Sequence, residues 1–391
     1  MEAVEKENKK SLKISKSLLV KLIILGTLVL FYIMFILLAN CRDFCESYSK
    51  TVVQFYTLVF GHISSFFPFS IFELFVIGSI LYLGTWIFFF IRKTIKTGIK
   101  NTYHMILRLL IILFSVLTVY QGTAGIEYSR KEIEIPMRTK LEDNPEVYNE
   151  VAYYFLEDFN KCASELQFNE KGSVIMPYSR DRLITNLELE YKKFNNDYLY
   201  DYTPKAKPMY QTGWFYTMMS ITGVSFAPTA EPNYNVTIPD AYLPFTIAHE
   251  MAHAKGVMPE ESANLVAAYI CLNSEDPFIR FSGYDTAFWS LPTFIMAQNK
   301  EGALNEFYSK IDNNIYRNNS YEYDFWDERA VFEKIADWVN DLYLKFNRDN
   351  GTISYSDNID TKEEDNKFII NSLSRYQALF MWIYFDKPNA K

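Results

Sequence analysis

Histidine is scarce in this sequence: 391 residues contain four, at positions 62, 104, 249 and 253. A histidine-rich metal cage is therefore excluded, and any site that needs imidazole must draw on these positions. Cysteine is equally scarce, with four residues, at positions 41, 45, 162 and 271. Excess positive charge is missing as well. The net charge is −8, which leaves no basic domain to hold phosphates and gives a nucleic-acid partner no support. No internal repeat or low-complexity tract is present.

Apolar residues, by contrast, are abundant. They make up 49% of the chain, enough for a membrane unit plus one sizeable domain. Leu18 to Ala39 is a nearly continuous apolar run, long enough to span a bilayer, with Lys21 able to snorkel at its start. Phe67 to Ile91 is a second span. Within it, Ser70-Ile71-Phe72-Glu73 reads as a capping box that starts the helix near Ile71. Met105 to Tyr120 is the third. Ser47 to Phe66 is amphipathic and aromatic, expected as an interfacial helix or a short fourth insertion, with His62 at headgroup level.

Six lysines fall in the first 22 residues, and the Arg92 to Lys100 loop is basic, so both are expected in the cytoplasm. Three spans then place everything after about residue 123 outside. The expected domains are 1–123 in the bilayer and 124–391 beyond it. Cys162 and Cys271 could pair in an oxidising exterior. Unpaired apolar filling is the first reading of all four cysteines.

Two of the four histidines stand four residues apart, in His249-Glu250-Met251-Ala252-His253. Positions i and i+4 share a helix face, so this H-E-x-x-H can present two imidazoles to one zinc ion (Zn2+), with Glu250 beside it as a general base. Pro244 suits the first turn of that helix and Gly256 its end. A third ligand is needed. His62 and His104 lie in or beside the apolar spans. Gly256 fits the start of the metzincin pattern, but Pro259 occupies the place of that pattern's third His. Glu260 follows and is the expected third ligand. Glu260, Ala263, Asn264 and Ala267 share one face of a second helix. Asn264 would orient a ligand from behind, and the two alanines would let the helices approach closely. Glu261 points about a quarter-turn away and is the alternative ligand.

The rest of the soluble part reads as mainly helical with one small sheet, an α+β class. Helices are expected over 143–166, 179–194, 285–300, 303–315, 329–346 and 371–385. Residues 198–207 read as loop and 348–351 as a turn. Gly223 to Ala227 and Asn235 to Ile238 read as strands. Residues 223–235 are expected either as an edge that an extended peptide could pair with or as plain structural sheet.

The chain resembles an uncharacterised bacterial family of membrane-anchored zincin-like proteins, a domain of unknown function. The resemblance rests on the spans, on Leu243-Pro244-Phe245-Thr246-Ile247-Ala248-His249-Glu250 and on Glu260-x-x-Ala263-Asn264. It rests also on Asn340-Asp341-x-Tyr343-Leu344-Lys345 and Ser354-Tyr355. The two-motif core is similar to gluzincin peptidases, whose second motif is E-x-x-x-D. Here Asn264 stands for that Asp, and the insertion between the motifs is shorter. ImmA-like peptidases show a similar E-x-x-A-N. This resemblance implies a zincin-like fold with an active-site helix pair.

The function expected is a zinc metallopeptidase anchored in the cell membrane by several passes, its catalytic domain extracytoplasmic and acting on a peptide or protein substrate. His249, His253 and Glu260 would bind zinc, and Glu250 would be catalytic. Tyr284, Arg280 and Arg329 are unranked candidates for the donor to the developing oxyanion. A non-catalytic, zinc-stabilised membrane sensor or scaffold is the alternative. An intramembrane protease is disfavoured by the polar Glu260-Glu261-Ser262 so close to the motif.

Overall fold

The computed structural model describes residues 15–99, 102–347, 360–364 and 367–387. The expected turn at 348–351 and the Ser354-Tyr355 pair lie outside the described residues. Helix α1 (Lys16–Leu38) starts where Ser15 caps the Leu18 N–H. Helix α2 (Arg42–Tyr48), a π-helical turn over 49–53 and helix α3 (Gln54–Ser65) follow. Helices α4 (Ile71–Thr97) and α5 (Tyr103–Tyr120) complete the N-terminal part, and a second π-helical turn covers 121–125. Among the described residues, α1, α4 and the α5 segment are the three helices long and apolar enough to cross a membrane. Helices α1 and α5 run parallel. Lys21 Nζ lies 3.2 Å from His104 Nδ1 at one end. Toward the other end, Thr118 donates to the Leu28 carbonyl at 3.2 Å.

The amphipathic stretch 47–66 packs its polar side on the downstream chain. Gln54 donates to Asp201 (3.2 Å) and Tyr56 to the Pro228 carbonyl (2.7 Å). His62 stacks on Tyr202 with ring centroids 4.0 Å apart. Phe55, Ile63 and Phe66 stay exposed.

Ser70 caps Glu73 N–H at 3.1 Å as expected, but the Glu73 carboxylate does not close a capping box. It accepts instead from the backbone N–H groups of Tyr210, Gln211 and Thr212 at 2.7 to 3.1 Å. The free N–H groups of Ile71 and Phe72 are satisfied by Glu231 at 3.1 and 3.0 Å. A buried carboxylate needs several donors, and here each finds them across the junction between α4 and the downstream chain.

The chain then forms α6 (Pro145–Ser164), the β1–β2 ribbon (Gln167–Phe168 and Val174–Ile175) and α7 (Arg180–Phe194). Strand β3 (Lys207–Met209), the short helix α8 (Gly213–Thr217), β4 (Gly223–Phe226) and β5 (Glu231–Asn235) come next. The sheet order is β3-β5-β4, with β5 parallel to β3 and antiparallel to β4. Helices α9 (Tyr242–Ala254), α10 (Glu260–Leu272), α11 (Pro277–Ala287), α12 (Pro292–Met296), α13 (Ala303–Ser309), α14 (Asn313–Arg329) and α15 (Glu333–Phe346) follow. The β6–β7 ribbon (Asp360–Glu364 and Lys367–Ser372) and α16 (Arg375–Phe385) end the described chain.

Mainly helical with a small sheet is thus correct, with two two-stranded ribbons in addition. Several expected boundaries shift for local reasons. Val236 to Ile238 is not strand, because Asn235 Oδ1 accepts from Thr237 N–H (3.0 Å) and turns the chain. The helix expected over 285–300 breaks after Ala287, before Pro292. The helix expected over 303–315 ends early, and Asp312 caps a new one by accepting from Asn314 N–H (2.7 Å). Asn371 and Ser372 finish β7, and α16 starts at a Ser374–Gln377 capping box.

The core gathers α6, α9, α10, α11 and α16 around Phe155, Phe159, Phe278, Phe281 and Phe380. Each fully buried Phe contributes roughly 2 kcal/mol. Ala248 and Ala252 of α9 and Ala263 and Ala267 of α10 are fully buried, so the two helices approach closely. All four cysteines are free. The Cys162 thiol takes a hydrogen bond from Arg280 at 3.2 Å, and Cys271 packs against Gly283.

Gly256 links α9 to α10 with φ +90°. Its carbonyl accepts from Arg130 at 3.1 Å. A Cβ there would stand 2.6 Å from Arg130 Nη1 and 2.8 Å from the Tyr200 ring. Gly256→Ala therefore adds left-handed strain to a collision, and a loss of about 2 kcal/mol or more is expected. Thermal unfolding of the purified chain measures it; an unchanged midpoint would show that the turn relaxes freely.

Candidate metal centre

Helix α9 carries His249, Glu250 and His253, and α10 opens on Glu260. Pro259 leads into α10 in an extended conformation (φ −60°, ψ 129°), so Glu260 sits in the first turn facing α9. His249 Nε2 lies 3.1 Å from Glu260 Oε2, and His253 Nε2 lies 3.5 Å from the same oxygen. The three donor atoms all fall within 4.8 Å of one another. The imidazole planes are nearly perpendicular, at 88°. His253 Nδ1 pairs with the Val257 carbonyl at 2.8 Å, which directs Nε2 into the site. Asn264, one turn along α10, lines the same cleft as His249. Glu261 turns away and pairs with Arg375 Nε at 2.7 Å.

The electrostatics ask for a cation. Burial alone would raise the Glu260 carboxyl, but charge on His253 and hydrogen bonds from both imidazoles hold it well below the usual carboxylate range. Burial alone would lower His253; the Glu260 carboxylate outweighs it and pushes the ring up to about 9. Burial and the neighbouring His253 push His249 down. Burial pushes Glu250 up to about 8, outweighing the opposite pull of the charged His253. Its Oε2 is buried without a partner.

The donor set fits a divalent ion. Tetrahedral zinc with bonds of about 2.0 Å spaces its ligand atoms about 3.3 Å apart, and the Nε2–Oε2 separations of 3.1 and 3.5 Å bracket that value. Binding would release the proton that now balances Glu260.

The site opens into a cleft of about 490 Å³. Residues 219–225, including most of β4, form one wall. Strand β4 lies at the sheet edge, paired with β5 alone among the described residues. Of residues 223–235, β4 alone could offer a pairing edge, since β5 is central and buried. Gly223 leaves room for the Glu250 carboxylate, since a Cβ there would stand 2.5 Å from Glu250 Oε1. Ala336, Asp337, Asn340 and Tyr343 of α15 line the facing wall together with Tyr128. The Tyr343 hydroxyl accepts from Tyr120 (2.9 Å) and Tyr128 (3.5 Å). Burial and the Glu260 and Glu250 carboxylates push its phenol up, so it keeps its proton.

None of the three oxyanion candidates chosen from sequence reaches this cleft. Tyr284 is buried in the core and donates to Asp158 at 2.7 Å. Arg280 pairs with the same Asp158 at 3.0 Å, and Arg329 pairs with Glu328 at 2.8 Å. Tyr343, in the Asn340-Asp341-x-Tyr343 motif, does reach the cleft. His62 and His104 stay with the N-terminal helices, away from the site.

A family model described as Protein of unknown function (DUF3810) matches residues 48–361. The chain belongs to that family. No curated protein and no solved structure matches it.

The purified chain is expected to bind about one zinc per molecule, and His249→Ala, His253→Ala and Glu260→Ala each to abolish it. Glu261→Ala is expected to keep the metal. Elemental analysis after dialysis decides; loss of zinc with Glu261→Ala but not with Glu260→Ala would reverse the ligand assignment.

Proposed function

We propose that this protein is a membrane-anchored zinc metallopeptidase with a gluzincin-like core, its catalytic domain formed by residues 124–391 outside the cytoplasm. The observation that carries the reading is the convergence of His249, His253 and Glu260 at the base of a cleft that also holds Glu250 and the edge strand β4. A zinc ion on the three ligands would supply Lewis acidity and a water pKa near 7.

The remaining chemistry belongs to the chain's own side chains. An extended substrate adds to the outer edge of β4, backbone to backbone. Glu250 takes the proton of the attacking water and returns it to the departing amine. Its unpartnered Oε2 is the atom available for that proton. A metal ion on the neighbouring ligands would offset the burial that raises Glu250 and favour the carboxylate form a base must have. The protonated Tyr343 phenol, on the opposite wall, is the donor for the developing oxyanion. A scaffold that used zinc only for stability would need neither Glu250 nor an open cleft.

Glu250→Gln keeps shape but not basicity. Zinc content and melting temperature are expected to survive, while hydrolysis of a mixed peptide library falls by roughly a hundredfold or more. An active wild type with unaffected turnover in the variant would refute the mechanism. A wild type that cleaves nothing, with full complementation of a deletion by Glu250→Gln, would favour the sensor or scaffold.

The sidedness rests on the basic N-terminus and the Arg92 to Lys96 segment. A reporter fused after Lys391 is expected to be active only when exported. Activity confined to the cytoplasm would reverse the orientation.

A further inference from the structure

Helix α15 buries almost nothing of its apolar side. Ile335, Trp338, Val339, Leu342 and Phe346 follow helical spacing along one face, and each is at least half exposed, Trp338 at 64%. A soluble domain rarely leaves five such residues in one stripe uncovered. The opposite side of the helix is polar and lines the cleft through Asp337 and Asn340. Lys334 and Lys345 flank the stripe, and Lys345 pairs with Asp341 at 2.7 Å.

The two ends of α15 explain the exposure. At its N-terminal end, Phe332 N–H donates to the Met218 carbonyl at 2.7 Å. Just before Met218, Tyr216 packs on Phe72 in the first turn of α4, with ring centroids 6.0 Å apart. Toward its C-terminal end, Tyr343 meets Tyr120 at the last residue of α5. The helix, about 21 Å long at 1.5 Å per residue, therefore bridges the start of one apolar span and the end of another. A helix tied at both ends to that rim lies along it, with its exposed stripe turned away from the cleft.

We propose that α15 is an interfacial helix whose stripe of Ile335, Trp338, Val339, Leu342 and Phe346 lies in the bilayer leaflet at that rim. The cleft on its other side then opens at the membrane surface, and the peptides it takes are segments of membrane-anchored chains. The bilayer contact rests on α1, α4 and α5 crossing the membrane; the substrate class rests in addition on the peptidase reading. The amphipathic pattern, with lysines flanking an aromatic-containing apolar stripe, is that of a helix lying in the interface.

The test uses the full-length chain in phosphatidylcholine vesicles, with the exposed Cys41 replaced by Ser. A nitroxide is placed at Leu342→Cys, at Trp338→Cys as an independent second position, and at Glu306→Cys as a water-exposed reference. At both stripe positions, relaxation by oxygen is expected to persist and relaxation by a soluble nickel chelate to be lost relative to Glu306. Nickel access equal to that at Glu306 would overturn the proposal. Exclusion of both reagents would also overturn it, because protein would then cover the stripe.

A second arm compares wild type with the Trp338→Ser, Leu342→Ser double variant. Cleavage of a peptide tethered to the vesicle by a transmembrane anchor is expected to fall roughly tenfold, through lost local concentration, while a free soluble peptide is cleaved as before. Equal effects on both peptides would remove the substrate class. Absence of any cleavage by wild type would remove the peptidase reading, and the nitroxide result would still decide the bilayer contact.

Discussion

The buried Glu260 carboxylate between two imidazoles is the constraint on which the site depends. A negative charge in a low-dielectric interior must be balanced or it is lost to protonation. Here the balance comes from His249 and His253, at 3.1 and 3.5 Å. That arrangement requires α9 and α10 to meet at alanine-to-alanine distance. It also requires the chain to reverse within a few residues, which Gly256 and Pro259 permit.

The reversal is itself held by the N-terminal part of the chain. Arg130 donates to the Gly256 carbonyl, to Glu127 at 3.1 Å and to Glu46 of α2 at 2.8 Å. Removing one partner of such a buried pair typically costs roughly 3 to 5 kcal/mol. Glu73 and Glu231 make a second interlock, each accepting backbone N–H groups from the other side of the junction. The N-terminal helices thus supply hydrogen-bond partners to the turn and the sheet that frame the cleft.

The cleft joins three distant stretches of chain. Strand β4 offers an unpaired edge, α9 and α10 the titratable groups, and α15 an inward polar face with Tyr343. One helix thus serves as wall on one side and as apolar surface on the other, so access to the cleft and contact with the rim of the spans are tied to the same element.

The sequence by itself determined the local periodicities. Long apolar runs required the spans, the i, i+4 spacing of His249 and His253 required one shared helix face, and Pro259 before Glu260 marked the start of the second helix. These signals are short-range, and each is complete within a turn or two of chain. Partnerships between distant residues left no such trace. Helical spacing does not distinguish Tyr343, which reaches the cleft, from Tyr284, which is buried in the core against Asp158; the Asn340-Asp341-x-Tyr343 match marks the stretch but gives it no role. The Glu73 carboxylate looked like a capping partner for its own helix and instead serves backbone nearly 140 positions away. Tertiary structure alone decided these pairings, because which donor meets a buried carboxylate depends on how helices and strands far apart in the chain pack together.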